Sequence, residues 1–471
     1  MTTIRKTALA AAVLALAGCS FIPEYQRPDA PVPGAFPYAS ATEGTPAAAL
    51  DWQAFFADAR LKQLIGAALA NNRDLRVALL NVEQARAQYD IRRADLYPTV
   101  GVGVNASRAP NPSNGEQSTS FQAGFSVSAW EIDLWGRLRA LSEAAVDQFL
   151  ATDEGRKAAQ VTLVSSVANA WLSLVADEEL LALTRQTLQT REESLRLVKL
   201  RFDNGVSSEL DFRLAESLAY AARVSLAQQE RQRALDLNTL GLLTGQTLPV
   251  DYGTGTTMAA ITLPDVPAGL PSDVLVARPD VRQAENLLQA ANANIGAARA
   301  AFLPRISLTA SVGRASTQLS GLFDGGGKWA YTVAPSLLLP IFDFGRNEAG
   351  LQSARVQRDI AIAQYERSIQ QAFKEVADAL AGRATLTTQL AAQDRVAEAE
   401  SVRMRLSQLR YDAGVASSLD LLDAQRSFFT ARQAQIQTRL AGLQNQVLLY
   451  RALGGGWTET AAGAPASAPA K

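Results

Sequence analysis

Residues Thr99 to Arg108 alternate: Val100, Val102, Val104 and Ala106 fall on one side, Gly101, Gly103, Asn105 and Ser107 on the other. Phe121 to Ala129 alternate again, with Phe121, Ala123, Phe125, Val127 and Ala129 set against Gln122, Gly124, Ser126 and Ser128. A period of two predicts strands with one apolar and one small, polar face. Ile306, Leu308, Ala310 and Val312, then Tyr331, Val333, Pro335, Leu337 and Leu339, predict a second pair. Polar or glycine-rich stretches separate the members of each pair: Pro110 to Gly115 in the first, Gly325-Gly326-Gly327 in the second.

Each pair ends in a joint. Trp130-Glu131-Ile132-Asp133-Leu134-Trp135-Gly136-Arg137 closes the first and Leu339-Pro340-Ile341-Phe342-Asp343-Phe344-Gly345-Arg346 the second, 209 positions later (345 − 136). The same offset relates the stretches starting at Arg201 and Arg410 (410 − 201), so the chain reads as two internal repeats. Asp133 and Asp343 are expected to cap the helix that follows, and Gly136 and Gly345 to allow the sharp backbone change. Proline is absent from Ser113 to Leu248 and from Ile341 to Ala464, and 137–202 and 346–411 are each expected as one helix of roughly 100 Å. Helices that long without a globular core imply helix-on-helix packing. Residues 60–94 also carry a helical stripe through Leu61, Leu64, Ile65, Ala68 and Leu69.

A tilted strand needs about 9–11 residues to cross a bilayer, which these strands supply. Aromatics gather near their ends: Tyr97, Phe121, Phe302, Trp329 and Tyr331. On the strands alone a soluble sandwich stays open. Lipid, however, forbids open sheet edges, and four strands cannot close a barrel. The membrane reading therefore requires assembly, and three copies would give about twelve strands.

Composition narrows the chemistry. The 471 residues carry a net charge of −1, which gives no case for nucleic acid. There is no His and one Cys, so a His base, a Cys cluster and an intrachain disulfide are excluded. No 18-residue apolar run is expected beyond the N-terminus. Arg5, Lys6, the apolar Ala8–Ala17 and Leu16-Ala17-Gly18-Cys19 read as a secretory leader over 1–18 with Cys19 lipidated, followed by Ser20 rather than Asp. Residues 19–59 are expected as an extended, lipid-anchored segment, 248–278 as a Pro- and Gly-rich connection, and 454–471 as a tail. Helices are placed at 60–98, 137–247, 279–302 and 346–453, and strands at 99–136 and 305–345. Gly325 to Lys328 has the look of a phosphate loop, but Leu322 and Trp329 stand where Gly and Ser/Thr are required.

The polar residues that stand out lie at two helix-to-helix turns. Ser208 precedes Asp211 by three positions and Ser417 precedes Asp420 by three, the spacing of a helix N-cap. Gly205 and Gly414 sit where the chain must turn left-handed. Asp423 follows Asp420 on the same helix face. In a threefold assembly Asp420 and Asp423 would form rings of six carboxylates, which select cations and suit a constriction. No catalytic residues, metal site or cofactor are expected beyond the lipid on Cys19.

These residues together resemble the outer-membrane factors of the TolC-like family, and within it the OprM-like lipoprotein branch. The resemblance rests on LAGC at Leu16–Cys19, WEIDLWGR at Trp130–Arg137, RPDVRQAE at Arg278–Glu285, LPIFDFGR at Leu339–Arg346 and RYDAGVASSLDLLDAQRS at Arg410–Ser427, and it spans nearly the whole mature chain. It implies a homotrimer with a twelve-stranded outer-membrane β-barrel, four strands per chain, continuous with a long periplasmic α-helical barrel. Its expected partners are a periplasmic adaptor protein, an inner-membrane RND-type transporter and outer-membrane lipid. The implied role is export of small molecules, with a duct for type I protein secretion or an adhesive coiled-coil lipoprotein as alternatives. The family's gate implies that Asp420 and Asp423 are ring aspartates, that Tyr411 and Asp211 tie neighbouring helices, and that the turns at Gly205 and Gly414 meet the adaptor. The basic residue expected just after the second turn glycine is Ala416 here.

Overall fold

The computed structural model describes residues 20–38, 46–110, 115–269, 271 and 278–457. The lipidation expected at Cys19 and most of the C-terminal tail lie outside them. A short helix α1 (Trp52–Phe55) precedes α2 (Ala59–Asn71) and α3 (Arg73–Ala94). Strands β1 (Val100–Pro110) and β2 (Gln117–Glu131) lead into the long helix α4 (Arg137–Asp203) and then α5 (Glu209–Thr244). Helix α6 (Pro279–Ala300), strands β3 (Arg305–Ser316) and β4 (Lys328–Leu338), and helices α7 (Arg346–Asp412) and α8 (Ser418–Ala452) follow. Helices α4 and α7 each run 67 residues, and their first residues lie 209 positions apart (346 − 137).

One compact unit is formed by the described residues within 1–29, 80–153 and 283–366. Its sheet is an antiparallel meander in the order β1-β2-β3-β4, so β1 and β4 are both open edges. The register puts Val102, Phe125, Val312 and Tyr331 in one row and Val104, Ala123, Arg314 and Trp329 in the next. Residues opposed across a ladder share a face, so the apolar positions of all four strands fall together. The other face carries Gly103, Gly124 and Gly313 in one row. A Cβ on Gly124 would lie 2.2 Å from the Val312 carbonyl oxygen, so glycine is required by the close approach of β2 to β3. A bulge between Val127 and Trp130, with Ala129 at φ 50°, redirects β2 toward α4.

At the joint, Asp133 accepts from the backbone amides of Leu138 (3.1 Å) and Arg139 (2.9 Å), satisfying the free donors of the first turn of α4. Asp343 does the same for Asn347 (2.9 Å) before α7. Gly136 and Gly345 take φ of 72° and 83°. Glu131 is clamped by Arg137 (2.7 Å) and Arg305 (2.6 Å), which concentrates charge at this end of the sheet.

The N-terminal segment crosses α6 as an extended strap. Arg299 donates to the Phe21 carbonyl (3.1 Å), Ile22 packs on Gly296, and Asn292 donates to the Pro23 carbonyl (2.7 Å). Arg27 grips the buried Glu285 with two nitrogens (2.7 and 3.0 Å), and the Tyr25 hydroxyl donates to the same carboxylate. The strap thus runs antiparallel to α6.

The second unit is formed by the described residues within 30–79, 154–282 and 367–471. Its core gathers Trp171, Leu172, Leu174 and Val175 of α4 with Phe55, Phe56, Leu61, Ile65, Leu380 and Tyr450. Tyr450 stacks on Phe55 at 4.0 Å between ring centres, and the Trp171 indole donates to Asp58 (3.0 Å). A stretch of α4 is long and apolar enough to cross a membrane by length and composition, which corrects the expectation that none follows the leader. It is mostly buried, because it supplies this core. The single helix expected over 60–94 is also broken. Asn72 leaves the helix, caps α3 by accepting from Leu75 N (2.9 Å), and donates to the Leu243 carbonyl (3.0 Å). Asn competes well with helical hydrogen bonding, and here it found partners on both sides.

Arg278 is 6% exposed and holds three elements together. It pairs with Asp280 (2.6 Å) and Glu375 (2.9 Å) and donates to the Ala452 carbonyl at the end of α8 (2.9 Å).

Candidate functional site at the helix turns

Both long helices end in the same way. Gly205 and Gly414 take φ of 72° and 75°, and Val206 N and Val415 N reach back to the carbonyls of Arg201 (2.8 Å) and Arg410 (2.9 Å). These bonds satisfy carbonyls that a terminating helix leaves free. Ser208 and Ser417 then cap α5 and α8, accepting from Asp211 N (3.1 Å) and Asp420 N (3.2 Å).

The two aspartates diverge from there. The Asp420 carboxylate turns back to Ser417 N (3.2 Å) and completes a reciprocal capping box. Asp211 instead accepts from Ser208 Oγ (2.7 Å) and, across to the other turn, from Ser418 Oγ (2.9 Å). A second tie joins the ends of α4 and α7. Arg201 donates to the Tyr411 hydroxyl (2.9 Å), with its guanidinium 5.1 Å from the ring centre. Beneath these ties Val198, Ala215 and Leu422 form a small buried cluster, and Phe202 stacks on Phe212 at 5.4 Å.

Asp423 is not a bare carboxylate. Arg403 of α7 and Arg426 of α8 grip it at 2.5 and 2.6 Å. All three aspartates titrate below the usual carboxylate range. Hydrogen bonds from Ser208 and Ser418 lower Asp211, that from Ser417 lowers Asp420, and that from Arg403 lowers Asp423. Tyr411, Asp211, Asp420, Asp423, Gly205 and Gly414 therefore all lie at these two turns. Sequence reading missed Arg201, Arg403 and Ser418. Arg403 lies twenty positions from Asp423 and meets it only once the hairpin has folded, whereas Arg426 stood at the visible i+3 spacing.

A different acidic pair lies in the body of the second unit. Asp177 of α4 is buried beside Asp236 of α5, with one oxygen lacking a hydrogen-bond partner among the described residues. Burial first, then the charge of Asp236, raises Asp177 from 3.8 to about 7; the neighbouring Glu178, itself paired with Arg233, adds to the rise. The native state thus favours the protonated acid. Its stabilising contribution is full below the unfolded value near 3.8 and is lost as pH climbs through about 7. Asp177→Asn should match the wild type near pH 4 and melt higher at pH 8. Thermal unfolding of both proteins across that range checks this, and parallel pH profiles would contradict it.

A family profile described as outer membrane efflux protein matches residues 64–246 and 270–455. The chain is 46% identical over 463 residues to a probable efflux pump outer membrane protein, TtgC, of Pseudomonas putida, covering 96% of this chain and 95% of that one. It is 42% identical to the outer membrane protein OprJ of Pseudomonas aeruginosa, covering 95% of each. Among solved structures, the open state of the Neisseria gonorrhoeae MtrE outer membrane channel is 40% identical, with a TM-score of 0.86, over 94% of this chain and all of that one. The Campylobacter jejuni CmeC outer membrane channel gives a TM-score of 0.85 at 26% identity, over 94% of this chain and 96% of that one. Identity at this level across almost the full length leaves one assignment: the chain belongs to the outer membrane efflux protein family.

Proposed function

We propose that the chain is the outer-membrane channel subunit of an RND-type tripartite efflux system and exports small molecules through a homotrimeric lumen. The observation that carries this is the four-stranded sheet with two unpaired edges, an apolar face and a small, polar face. Lipid tolerates such a sheet only when its edges are closed, and three copies close twelve strands into a barrel with the polar face inward. The equal long helices, read as two internal repeats, would continue it as an α-helical barrel through the periplasm. Cys19 would carry the lipid anchor, and the turns at Gly205 and Gly414 would meet the adaptor that links the channel to its inner-membrane transporter. The protein is a conduit, so its chemistry is gating.

In this reading the turns form the gate. The Arg201–Tyr411 and Asp211–Ser418 bonds hold the two hairpins together and stand in for the basic residue that Ala416 replaces. Asp420 lines the constriction, while Asp423 balances two arginines. Asp423→Ala should therefore leave Arg426 without its carboxylate, while Arg403 keeps Glu400 (3.2 Å), and shift ion preference from cations toward anions, which reversal potentials in planar bilayers would register. Unchanged selectivity would remove Asp423 from the lumen. The wider reading is tested by the same recordings together with the drug susceptibility of a deletion strain. A protein that conducts, and whose loss sensitises cells to small toxic compounds, is an efflux channel; loss of an exported protein alone would indicate a secretion duct.

A further inference from the structure

The apolar face of the sheet is interrupted in one way that its fold does not explain. Arg314 shares a face with Ile306, Leu308, Ala310 and Val312 on β3, lies opposite Ala123 and Trp329, and has Tyr331 one row nearer the helices. It is exposed, and among the described residues its guanidinium has no hydrogen bond, ion pair or ring contact. Arg108 stands on the same face of β1, opposite Thr119, and is likewise exposed and unpaired. Every other described position on this face, from the Ile306–Leu337 row up to the Val312–Tyr331 row, is apolar, aromatic or proline.

Depth decides what such an arginine meets. Ile306 lies beside the Glu131–Arg137–Arg305 charge cluster at the helix end of the sheet. From Ile306 to Arg314 is eight residues (314 − 306), about 26 Å along a strand and about 20 Å of height at a tilt near 40°. The apolar band of an outer-membrane barrel is about 25 Å tall. Arg314 thus emerges at the outer margin of that band, within a side chain's reach of the headgroups. A lipid-facing arginine is costly at mid-depth and nearly free there. Its planar fork matches a phosphate bidentately, and Trp329 and Tyr331 are the aromatics of that interface. Arg108, four residues beyond the Val104 row on β1 (108 − 104), offers a second cation farther out.

We propose that Arg314 binds a phosphate of the phosphorylated glycolipid that forms the outer leaflet, with Arg108, about 13 Å farther along the strands, facing a second phosphate, making the barrel wall a lipid site on its exterior side. This rests on the membrane-barrel reading above. The test uses the full-length protein in detergent, incubated with bisphosphorylated lipid A, with the same lipid A after phosphatase treatment, and with phosphatidylglycerol, bound lipid being counted by native mass spectrometry. The wild type should retain bisphosphorylated lipid A about tenfold better than either alternative. Arg314→Gln should lose that preference, Arg314→Lys should keep part of it, and Arg108→Gln should weaken it. Equal retention of phosphorylated and dephosphorylated lipid, or an unaltered preference in Arg314→Gln, would overturn the proposal, as would equal binding of phosphatidylglycerol. Channel recordings on the same preparations separate the two readings: conducting protein without lipid selectivity defeats this site alone, whereas protein that neither inserts nor conducts defeats the barrel.

Discussion

Arg201→Ala combined with Asp211→Ala should convert a resting channel into a leaky one. Each substitution removes one of the two side-chain ties between the paired turns, the bond to Tyr411 and the bond to Ser418. Partly exposed hydrogen bonds of this kind contribute about 0.5–1.5 kcal/mol each. Losing both shifts a closed-to-open equilibrium by about 1–3 kcal/mol, or roughly 5- to 150-fold. The small cluster of Val198, Ala215 and Leu422 still joins α4, α5 and α8, so the hairpins should stay folded and in contact while the turns themselves loosen. Single-channel conductance of the double variant should rise several-fold, and cells carrying it should admit antibiotics too large for ordinary porins. Each single variant should show a smaller rise. Conductance identical to that of the wild type would show that the constriction is held elsewhere.

The second large effect concerns stability. Arg278→Met should cost about 1.5–3 kcal/mol, the range for losing hydrogen bonds to charged groups, because Asp280 and Glu375 keep 41% and 22% of their side chains in solvent. The substitution leaves Glu375 and the Ala452 carbonyl without their partner at the point where the start of α6, the middle of α7 and the end of α8 meet. Arg278→Lys keeps the charge but has one nitrogen where three acceptors wait, so its loss should be intermediate. Thermal melts in detergent would rank the three proteins. A methionine variant as stable as the wild type would mean that Asp280 and Glu375 find other partners or water.

The features legible in the sequence were those set by periodicity and by backbone demands at single residues. Alternation from Val100 to Ala106 and from Phe121 to Val127 exposed the sheet faces, and Gly136 and Gly345 marked where strand becomes helix. Uninterrupted stretches without proline gave α4 and α7. Contacts between distant parts of the chain were not legible. The strap of Phe21 to Arg27 on α6 depends on a buried Glu285 some 258 positions away, and the break at Asn72 depends on the Leu243 carbonyl. At the turns, capping spacing revealed Asp211 and Asp420 as terminal residues. It could not reveal that Asp211 spends its second oxygen on Ser418: Ser418 stands where the first turn has Glu209, but nothing in that difference places its hydroxyl against Asp211 before the two turns meet. Asp423 was read as free charge for the same reason: its Arg403 partner becomes a neighbour only when the hairpin closes.

The matched 67-residue helices also constrain how this chain can evolve. One added residue in α4 would advance everything beyond it by about 1.5 Å and rotate it by about 100°, swinging Arg201 away from Tyr411 and Asp211 away from Ser418. A compensating addition in α7 would be needed to bring the partners back. Lineages should therefore gain or lose length in both halves together, and a homologue altered in one half alone should have rebuilt its fastening from different residues.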